Sequence, residues 1–144
     1  MTTDAYDLER FVVAQDARGT YASAAAELRA GRKVTHWMWF VFPQLAGLGL
    51  SEMSRRYAIS SLEEARGYLA HPILGERLRE CARVLTELDG RTADGVFGHV
   101  DAVKLRSSMT LFARAAPEDP LFADVLDQYF DGVADEATDA RLPG

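Results

Sequence analysis

Apolar residues recur at helical spacing along most of the chain. The clearest stripe has apolar positions at offsets of four, seven, eight, eleven and fourteen residues: Leu74, Leu78, Cys81, Ala82, Leu85 and Leu88. These positions share one face, which predicts an amphipathic helix with its charged side chains outside. A similar stripe between Leu121 and Phe130 predicts a C-terminal helix that ends near Gly132. Shorter stripes predict a first helix from about Leu8 and a second that ends near Gly31.

Capping patterns set the boundaries of the predicted helices. Ser61 and Glu64 form a capping box, in which the Ser61 hydroxyl accepts from the third amide and the Glu64 carboxylate reaches back. His71-Pro72 then breaks the chain. The other predicted N-caps are Ser51, Thr92 and Asp101. Because no segment alternates apolar and polar residues between turns, we predict an all-α fold, a single domain over residues 1–144 built as an irregular bundle of about six or seven helices.

Composition and charge exclude several classes of protein. The 144 residues are 48% apolar and 26% charged, which suits one globular domain with a real core. The longest apolar run is too short to span a bilayer and the N-terminus lacks a secretory signal, so we expect a cytoplasmic protein without membrane contact. One cysteine and three scattered histidines lack zinc-site spacing, so we expect no metal and no cofactor.

The net charge of −6 is concentrated near the C-terminus. From Pro117 onward there are eight acidic residues and one basic residue, Arg141. We expect residues 133–144 to form a loosely ordered acidic tail. An acidic chain with a pI of about 5.0 and no basic stripe also argues against a nucleic-acid partner.

The most unusual segment is the aromatic run from Thr35 to Gln44. It contains His36 and both tryptophans of the chain, Trp37 and Trp39. So many aromatic side chains predict either a buried central helix or the lining of a pocket, and helical spacing is more typical of a core. The glycine-rich loop that follows leads into a short helix with Ser51 at its start and Arg55 inside it. This arrangement suits a phosphate or carboxylate, although its spacing matches no known phosphate loop and also fits a plain connection.

A third segment places polar residues where an amphipathic helix would normally have apolar or charged ones. On a helix, Asp101, Lys104 and Ser108 share one strip, and Ser107 lies beside it. A lysine held by an aspartate can activate a serine hydroxyl. The same residues also fit an exposed ion pair and serines bonded to the preceding turn. A polar face that contacts a ligand is the interpretation we prefer.

Together these segments resemble a bacterial family of uncharacterised proteins, domain-of-unknown-function family eighteen-ten. The resemblance rests on the strings His36 to Gln44, Gly47 to Gly49, Tyr57 to Ile59, His71 to Gly75 and Phe97-Gly98, and on Asp101, Lys104 and Ser107 to Phe112. It covers essentially the whole chain and implies a small all-α protein without an established activity. Some members carry the label calpastatin, which names a disordered inhibitor, whereas this sequence has a full core.

Convergence of the three segments would create one pocket with stacking faces and cations. We therefore hypothesise that the domain binds a small anionic metabolite that bears a phosphate or a ribose. The candidate ligand-binding residues are His36, Trp37, Trp39, Gln44, Ser51, Arg55, Asp101, Lys104, Ser107 and Ser108. Whether it is also an enzyme stays open; Asp101 or His36 would be the acid or base. The alternative is a non-catalytic protein–protein interaction module, which a flat exposed aromatic patch would favour.

Overall fold

The computed structural model describes residues 4–142, and their regular structure is helical. The helices are α1 Glu9–Asp16, α2 Thr20–Arg29, α3 Met38–Val41, α4 Glu52–Arg56, α5 Leu62–Ala70, α6 Leu74–Glu87, α7 Ala93–Phe97, α8 His99–Ala115, α9 Leu121–Phe130 and α10 Glu136–Arg141. Six of these ten segments have eight or more residues. In the described part of the chain, strand-like pairing is limited to one isolated parallel bridge between Leu45 and Ile59. The all-α prediction is confirmed.

Helices α6 and α8 form the frame of the bundle. α8 packs against α5, α7, α9 and α10, while α6 packs against α2, α5 and α9. α6 buries the predicted stripe from Leu74 to Leu85, with charged side chains on its outer face. α8 is buried on nearly every side from Ser107 to Phe112, so it is the central helix of the fold.

The aromatic run does not form that central helix. Only Met38–Val41 is helical, a single turn between Trp37 (φ −142°, ψ 5°) and Phe42, neither of which has helical backbone angles. Pro43 disfavours helical backbone at Phe42, so the turn ends there. The rings of Trp37 and Phe42 are fully buried and pack edge-on against Phe97, with ring centroids 6.4 and 6.1 Å apart. The segment is therefore core, as its composition indicated, but it is not a helix of core length.

Three of the predicted N-caps are confirmed. The hydroxyls of Ser51, Ser61 and Thr92 each accept a hydrogen bond from the amide three residues later, at 3.0 to 3.1 Å. The capping box differs in one detail, because the Glu64 carboxylate accepts from the amide and hydroxyl of Ser60, at 2.9 and 2.7 Å. Glu64 also binds Arg10, at 3.0 Å. The carboxylate thus ties the start of α5 to α1 as well as capping it.

The prediction that Asp101 is an N-cap is wrong. α8 begins two residues earlier, at His99, and Gly98 occupies the N-cap position with φ +79°. Asp101 lies in the first turn of α8, and its carboxylate points to lysines rather than to the amides of its own helix.

The C-terminal segment differs from the loose tail that we expected over residues 133–144. Asp135 caps α10 by accepting from the Thr138 amide at 3.0 Å, and Thr138 is fully buried. Arg114 of α8 donates two hydrogen bonds, both 2.9 Å long, to the Asp139 carboxylate. The acidic composition of this segment predicted a solvated tail and gave no sign of these contacts. They attach α10 to α8. Residues 143 and 144 lie outside the described part of the chain.

Candidate ligand-binding site

Glu27 on α2 fixes the loop that leads to the aromatic run. Its Oε1 accepts hydrogen bonds from the amides of Val34 (2.7 Å) and Thr35 (2.9 Å) and from the Trp37 indole (3.0 Å). Its Oε2 accepts from the Thr35 hydroxyl at 2.6 Å. Burial acts to raise the pKa of Glu27, but these hydrogen bonds outweigh it and lower the pKa to about 2. An ionised carboxylate therefore holds the loop that carries Lys33 and Trp37.

Both lysines of the chain contact the same aspartate. Lys33 Nζ lies 3.0 Å from Asp101 Oδ2, and Lys104 Nζ lies 3.6 Å from Asp101 Oδ1. Each ammonium also lies over a tryptophan ring, Lys33 at 4.9 Å from the Trp37 centroid and Lys104 at 5.2 Å from that of Trp39. The chain has fourteen arginines but only two lysines and two tryptophans. We call these five residues the Lys–Trp–Asp cluster, since it uses every lysine and tryptophan in the sequence.

A cleft of about 320 Å³ lies beside this cluster, between the glycine-rich loop (residues 45–50) and the first turns of α8. Its lining residues are Gln44, Leu48, Gly49, His99, Val100, Val103 and Lys104. We call it the α8 cleft. Its volume falls within the range of small-molecule sites. Lys104 belongs to both the cleft and the cluster, and it brings a cation into a largely apolar wall.

Local contacts shape the loop side of the α8 cleft. The Gln44 carbonyl accepts from the Ile59 amide, and the Ala46 amide donates to the Ile59 carbonyl, both at 2.8 Å. These two bonds fix the loop at its start. A side-chain carbon at Gly49 would overlap the side chain of Ser54 on α4. Glycine at this position therefore lets α4 close onto the loop.

The structure brings together five of the ten predicted site residues. Trp37, Trp39, Asp101 and Lys104 form the cluster with Lys33, and Gln44 lines the cleft with Lys104. Two of the three predicted segments, the aromatic run and the α8 segment, thus meet directly. The glycine-rich loop joins them through Leu48 and Gly49.

The other predicted residues lie elsewhere. His36 is exposed in the loop before α3, and Arg55 is exposed on α4. Ser51 serves as the N-cap of α4. None of the three is among the residues that line the α8 cleft.

The two serines are buried inside the bundle. Ser107 Oγ donates to the Val103 carbonyl at 3.2 Å, which is the bond to the preceding turn that the sequence left open. Ser108 Oγ is fully buried and has no hydrogen-bond partner among residues 4–142. Lys104 Nζ is turned toward Asp101 and Trp39. Within residues 4–142, Ser108 and Lys104 are therefore not hydrogen-bonded to each other, as activation of the serine by the lysine would require.

Comparison with known proteins places the chain in a family. A family model described as "Protein of unknown function (DUF1810)" matches residues 5–142. The chain belongs to the DUF1810 family. It is also similar to the crystal structure of the conserved hypothetical protein Rv1873 from Mycobacterium tuberculosis, with 52% sequence identity and a TM-score of 0.93. The match covers 96% of this chain and 98% of that one. No curated protein matches.

The resemblance noted in the sequence is thereby confirmed, and the DUF1810 fold has an experimental counterpart. Neither description names an activity, so function has to be argued from the site. In this DUF1810 chain, sequence reasoning missed Lys33 and Glu27. The rarity of lysine in an arginine-rich chain was a visible signal for Lys33. Glu27 offered none, because its role depends on how the loop folds back.

Two larger depressions carry cations that already have partners. One, of about 470 Å³, contains Arg66, which donates to the Ala115 carbonyl at 3.2 Å, and Arg79, which donates to the Leu69 carbonyl at 3.1 Å. The other, of about 540 Å³, contains Arg106, which donates to the Val133 carbonyl at 2.8 Å. Since these arginines bind backbone carbonyls around helix ends, we assign them a structural role.

Metal binding, membrane insertion and cysteine chemistry have little support among residues 4–142. Within residues 4–142, no three His, Cys, Asp or Glu side chains are grouped so that they could hold a metal ion. No helix in that range has the length and apolar character needed to cross a membrane. Burial raises the pKa of the Cys81 thiol to about 12, so this cysteine packs as an apolar side chain.

Proposed function

We propose that this protein binds a small organic anion in the α8 cleft, with Lys104 and Gln44 at the charged end of the ligand. The observation that carries the proposal is the position of Lys104, a lysine side chain among cleft-lining residues that are largely apolar. Small-molecule sites typically combine such walls with a few polar groups that fix orientation. Metabolites bearing a phosphate or a ribose, the class expected from the sequence, fall within the proposal.

The charge balance of the cluster supports an anionic ligand. Two lysines and one aspartate leave one positive charge. Lys33 lies closer to Asp101 than Lys104 does, 3.0 against 3.6 Å, and only 6% of the Lys33 side chain is exposed. The side chain of Lys104 is 21% exposed and borders the cleft. Lys104 is the member of the cluster that lines the cleft, so its positive charge is the one that a ligand there would meet, and a partly buried charge is weakly screened. The N-terminal end of the α8 dipole adds to it.

The proposal assigns binding and no bond-breaking step. Asp101, the acid or base suggested by the sequence, is engaged by both lysines and does not line the cleft. His36, the other candidate, is exposed outside it. General acid–base catalysis requires a group within hydrogen-bond reach of the ligand. Neither residue supports that role in the α8 cleft.

The alternative of an interaction module has less support. It calls for a flat exposed aromatic patch, whereas Trp37 is fully buried and Trp39 is half-buried beneath Lys104. The proposal also keeps the expected cytoplasmic location and the absence of nucleic-acid partners. The single free cysteine and the net charge of −6 support these two points.

A thermal-shift screen tests the proposal. The parent protein is screened against small carboxylates, inorganic phosphate, sugar phosphates and nucleotides, beside Lys104→Met and the matched control Arg55→Met. Each variant loses one positive charge, but only Lys104 lines the cleft. A ligand at a hundred times its dissociation constant adds about 2.7 kcal/mol of stability. We expect stabilisation of the parent and Arg55→Met but not of Lys104→Met. Failure of every compound to stabilise the parent would overturn the proposal.

A further inference from the structure

We infer that the ligand of the α8 cleft is a monoanionic carboxylate with a compact apolar group, such as a short-chain or aryl carboxylic acid. This inference rests on the proposed function and narrows it, because it sets aside the phosphate and ribose ligands expected from the sequence. Three features carry it: the charge of the cleft, the chemistry of its walls, and the donors at its polar end.

The charge of the cleft matches one negative charge rather than two. Lys104 is the only Lys or Arg among its lining residues, and it already shares Asp101 with Lys33. A phosphate monoester carries about −1.5 to −2 at neutral pH. A single lysine whose charge is shared with an aspartate offsets less than that charge, whereas further arginines or lysines would offset more of it. This chain has fourteen arginines, and none of them lines the α8 cleft.

The walls of the cleft suit an apolar ligand body. Leu48, Val100 and Val103 present only hydrocarbon, and Gly49 presents backbone. Val100 and Val103 are 69% and 49% exposed, so a ligand resting on them would remove apolar surface from water. Ribose hydroxyls placed there would lose water without gaining partners. Ribose sites commonly use a carboxylate to accept from the hydroxyls, and the lining residues of this cleft include no carboxylate.

The polar end of the cleft offers two donors for the two oxygens of a carboxylate. The Lys104 ammonium has three N–H groups and can face Asp101, the Trp39 ring and a ligand oxygen together. Gln44 also lines the cleft, and its side-chain NH₂ group is the donor that we assign to the second oxygen. A volume of about 320 Å³ lies near the lower end for ligand sites, which favours a compact acid.

The scarcity of lysine gives a direct test on the unmodified protein. A trace amount of an amine-selective N-hydroxysuccinimide ester is added, and mass spectrometry follows acylation of Lys104 and Lys33. The probes are benzoate, hexanoate, benzamide, inorganic phosphate and ribose 5-phosphate. We expect saturating benzoate or hexanoate to slow acylation of Lys104 at least about fivefold and leave Lys33 unchanged. The neutral benzamide should bind at least about tenfold more weakly than benzoate.

The outcomes separate this inference from the proposed function. Stronger protection of Lys104 by phosphate or ribose 5-phosphate than by the carboxylates would overturn the inference and leave anion binding standing. Equal protection by benzamide and benzoate would remove the role of charge, and no protection by any probe would overturn both. The variant Val103→Asp adds a negative charge to an exposed position of the cleft wall and leaves Lys104 itself in place. It should weaken benzoate binding at least about tenfold while the protein stays folded.

Discussion

At the scale of single residues, Glu27 organises the approach to the Lys–Trp–Asp cluster. Its carboxylate accepts four hydrogen bonds, from the Val34 amide, from the amide and hydroxyl of Thr35, and from the Trp37 indole. A glutamine would offer a single acceptor oxygen, and its NH₂ group would face donors. The charge of Glu27 therefore matters as much as its shape.

We predict a pH-dependent loss of stability for Glu27→Gln. The pKa of Glu27 in the folded protein, about 2, is below its ordinary value of 4.5, so folding favours the ionised form. This stabilisation is present above pH 4.5 and is lost as the pH falls toward 2. At pH 7 the variant should lose about 1 to 2 kcal/mol of unfolding free energy, a modest value because the group is partly screened by solvent. Urea unfolding at pH 7 and pH 3 should show the gap to the parent narrowing at low pH.

Glu87→Gln is the matched control for this pH effect. Glu87 is exposed in the last turn of α6 and makes no side-chain hydrogen bond or ion pair within residues 4–142. Its removal should leave the unfolding free energy within about 0.5 kcal/mol of the parent at both pH values. An equal loss in the two variants, or a gap for Glu27→Gln that stays constant with pH, would contradict the role given to Glu27.

Residue patterns in the sequence predict local contacts better than distant ones. The N-caps Ser51, Ser61 and Thr92 were predicted because each partner lies three residues away. The contact between Lys33 and Asp101 joins positions 68 residues apart, and no spacing rule encodes it. For the same reason, sequence spacing placed Asp101 at a helix start when its carboxylate serves two lysines.

At the scale of elements, the crossing of α5 and α6 depends on one glycine. Gly75 lies in the first turn of α6, where a side-chain carbon would overlap the Leu69 carbonyl near the end of α5. The neighbouring atom belongs to backbone, so it cannot be displaced by a change of rotamer. Gly67, inside α5, differs because a carbon there would meet the side chains of Leu8 and Tyr6 at ordinary contact distances of 3.8 Å.

We predict opposite effects for alanine at these two glycines. Gly75→Ala should cost about 2 to 3 kcal/mol or more, because α5 and α6 must move apart. Gly67→Ala should be neutral or stabilise the protein by up to about 1 kcal/mol, since alanine favours the helix and restricts the unfolded chain. Urea unfolding followed by circular dichroism measures both. Similar stability of the two variants would show that the α5–α6 crossing adapts to the added carbon.

The elements show where periodicity succeeds and where it fails. α6 was predicted because its apolar residues occupy one face and its charges the other. The aromatic run was expected to be a central helix, but Pro43 ends the helix after one turn. The rings of Trp37 and Phe42, on either side of that turn, are nevertheless fully buried. The central helix is α8, and its burial was hard to predict because it contains the polar residues Ser107, Ser108 and Thr110. Ser107 and Thr110 satisfy their hydroxyls on carbonyls of α8 itself, at 3.2 and 2.8 Å, which sequence spacing alone cannot show.

At the scale of the whole molecule, one apolar core connects the helices that surround the site. It includes Phe11 of α1, Leu28 of α2, Tyr68 of α5, Leu85 of α6 and Phe122 of α9, all fully buried. Trp37 joins the same core through Phe42 and Phe97. The site therefore shares its core with the rest of the bundle, so we expect the free energy of unfolding the site to equal that of unfolding the whole domain.

Coincident unfolding of the site and the helices follows from this shared core. Both tryptophans lie in the Lys–Trp–Asp cluster, so their fluorescence reports on the site, while circular dichroism at 222 nm reports on all helices. Trp37 packs against Phe97 of α7, and the half-buried Trp39 lies under Lys104 of α8, so full exposure of both rings requires these helices to separate from the aromatic run. We expect urea midpoints from the two probes to agree within about 0.2 M, as two-state unfolding requires. A fluorescence midpoint at clearly lower urea would mean that residues 30–50 open before the bundle. The α8 cleft would then be a locally unstable region rather than the preformed pocket that anion binding at low cost requires.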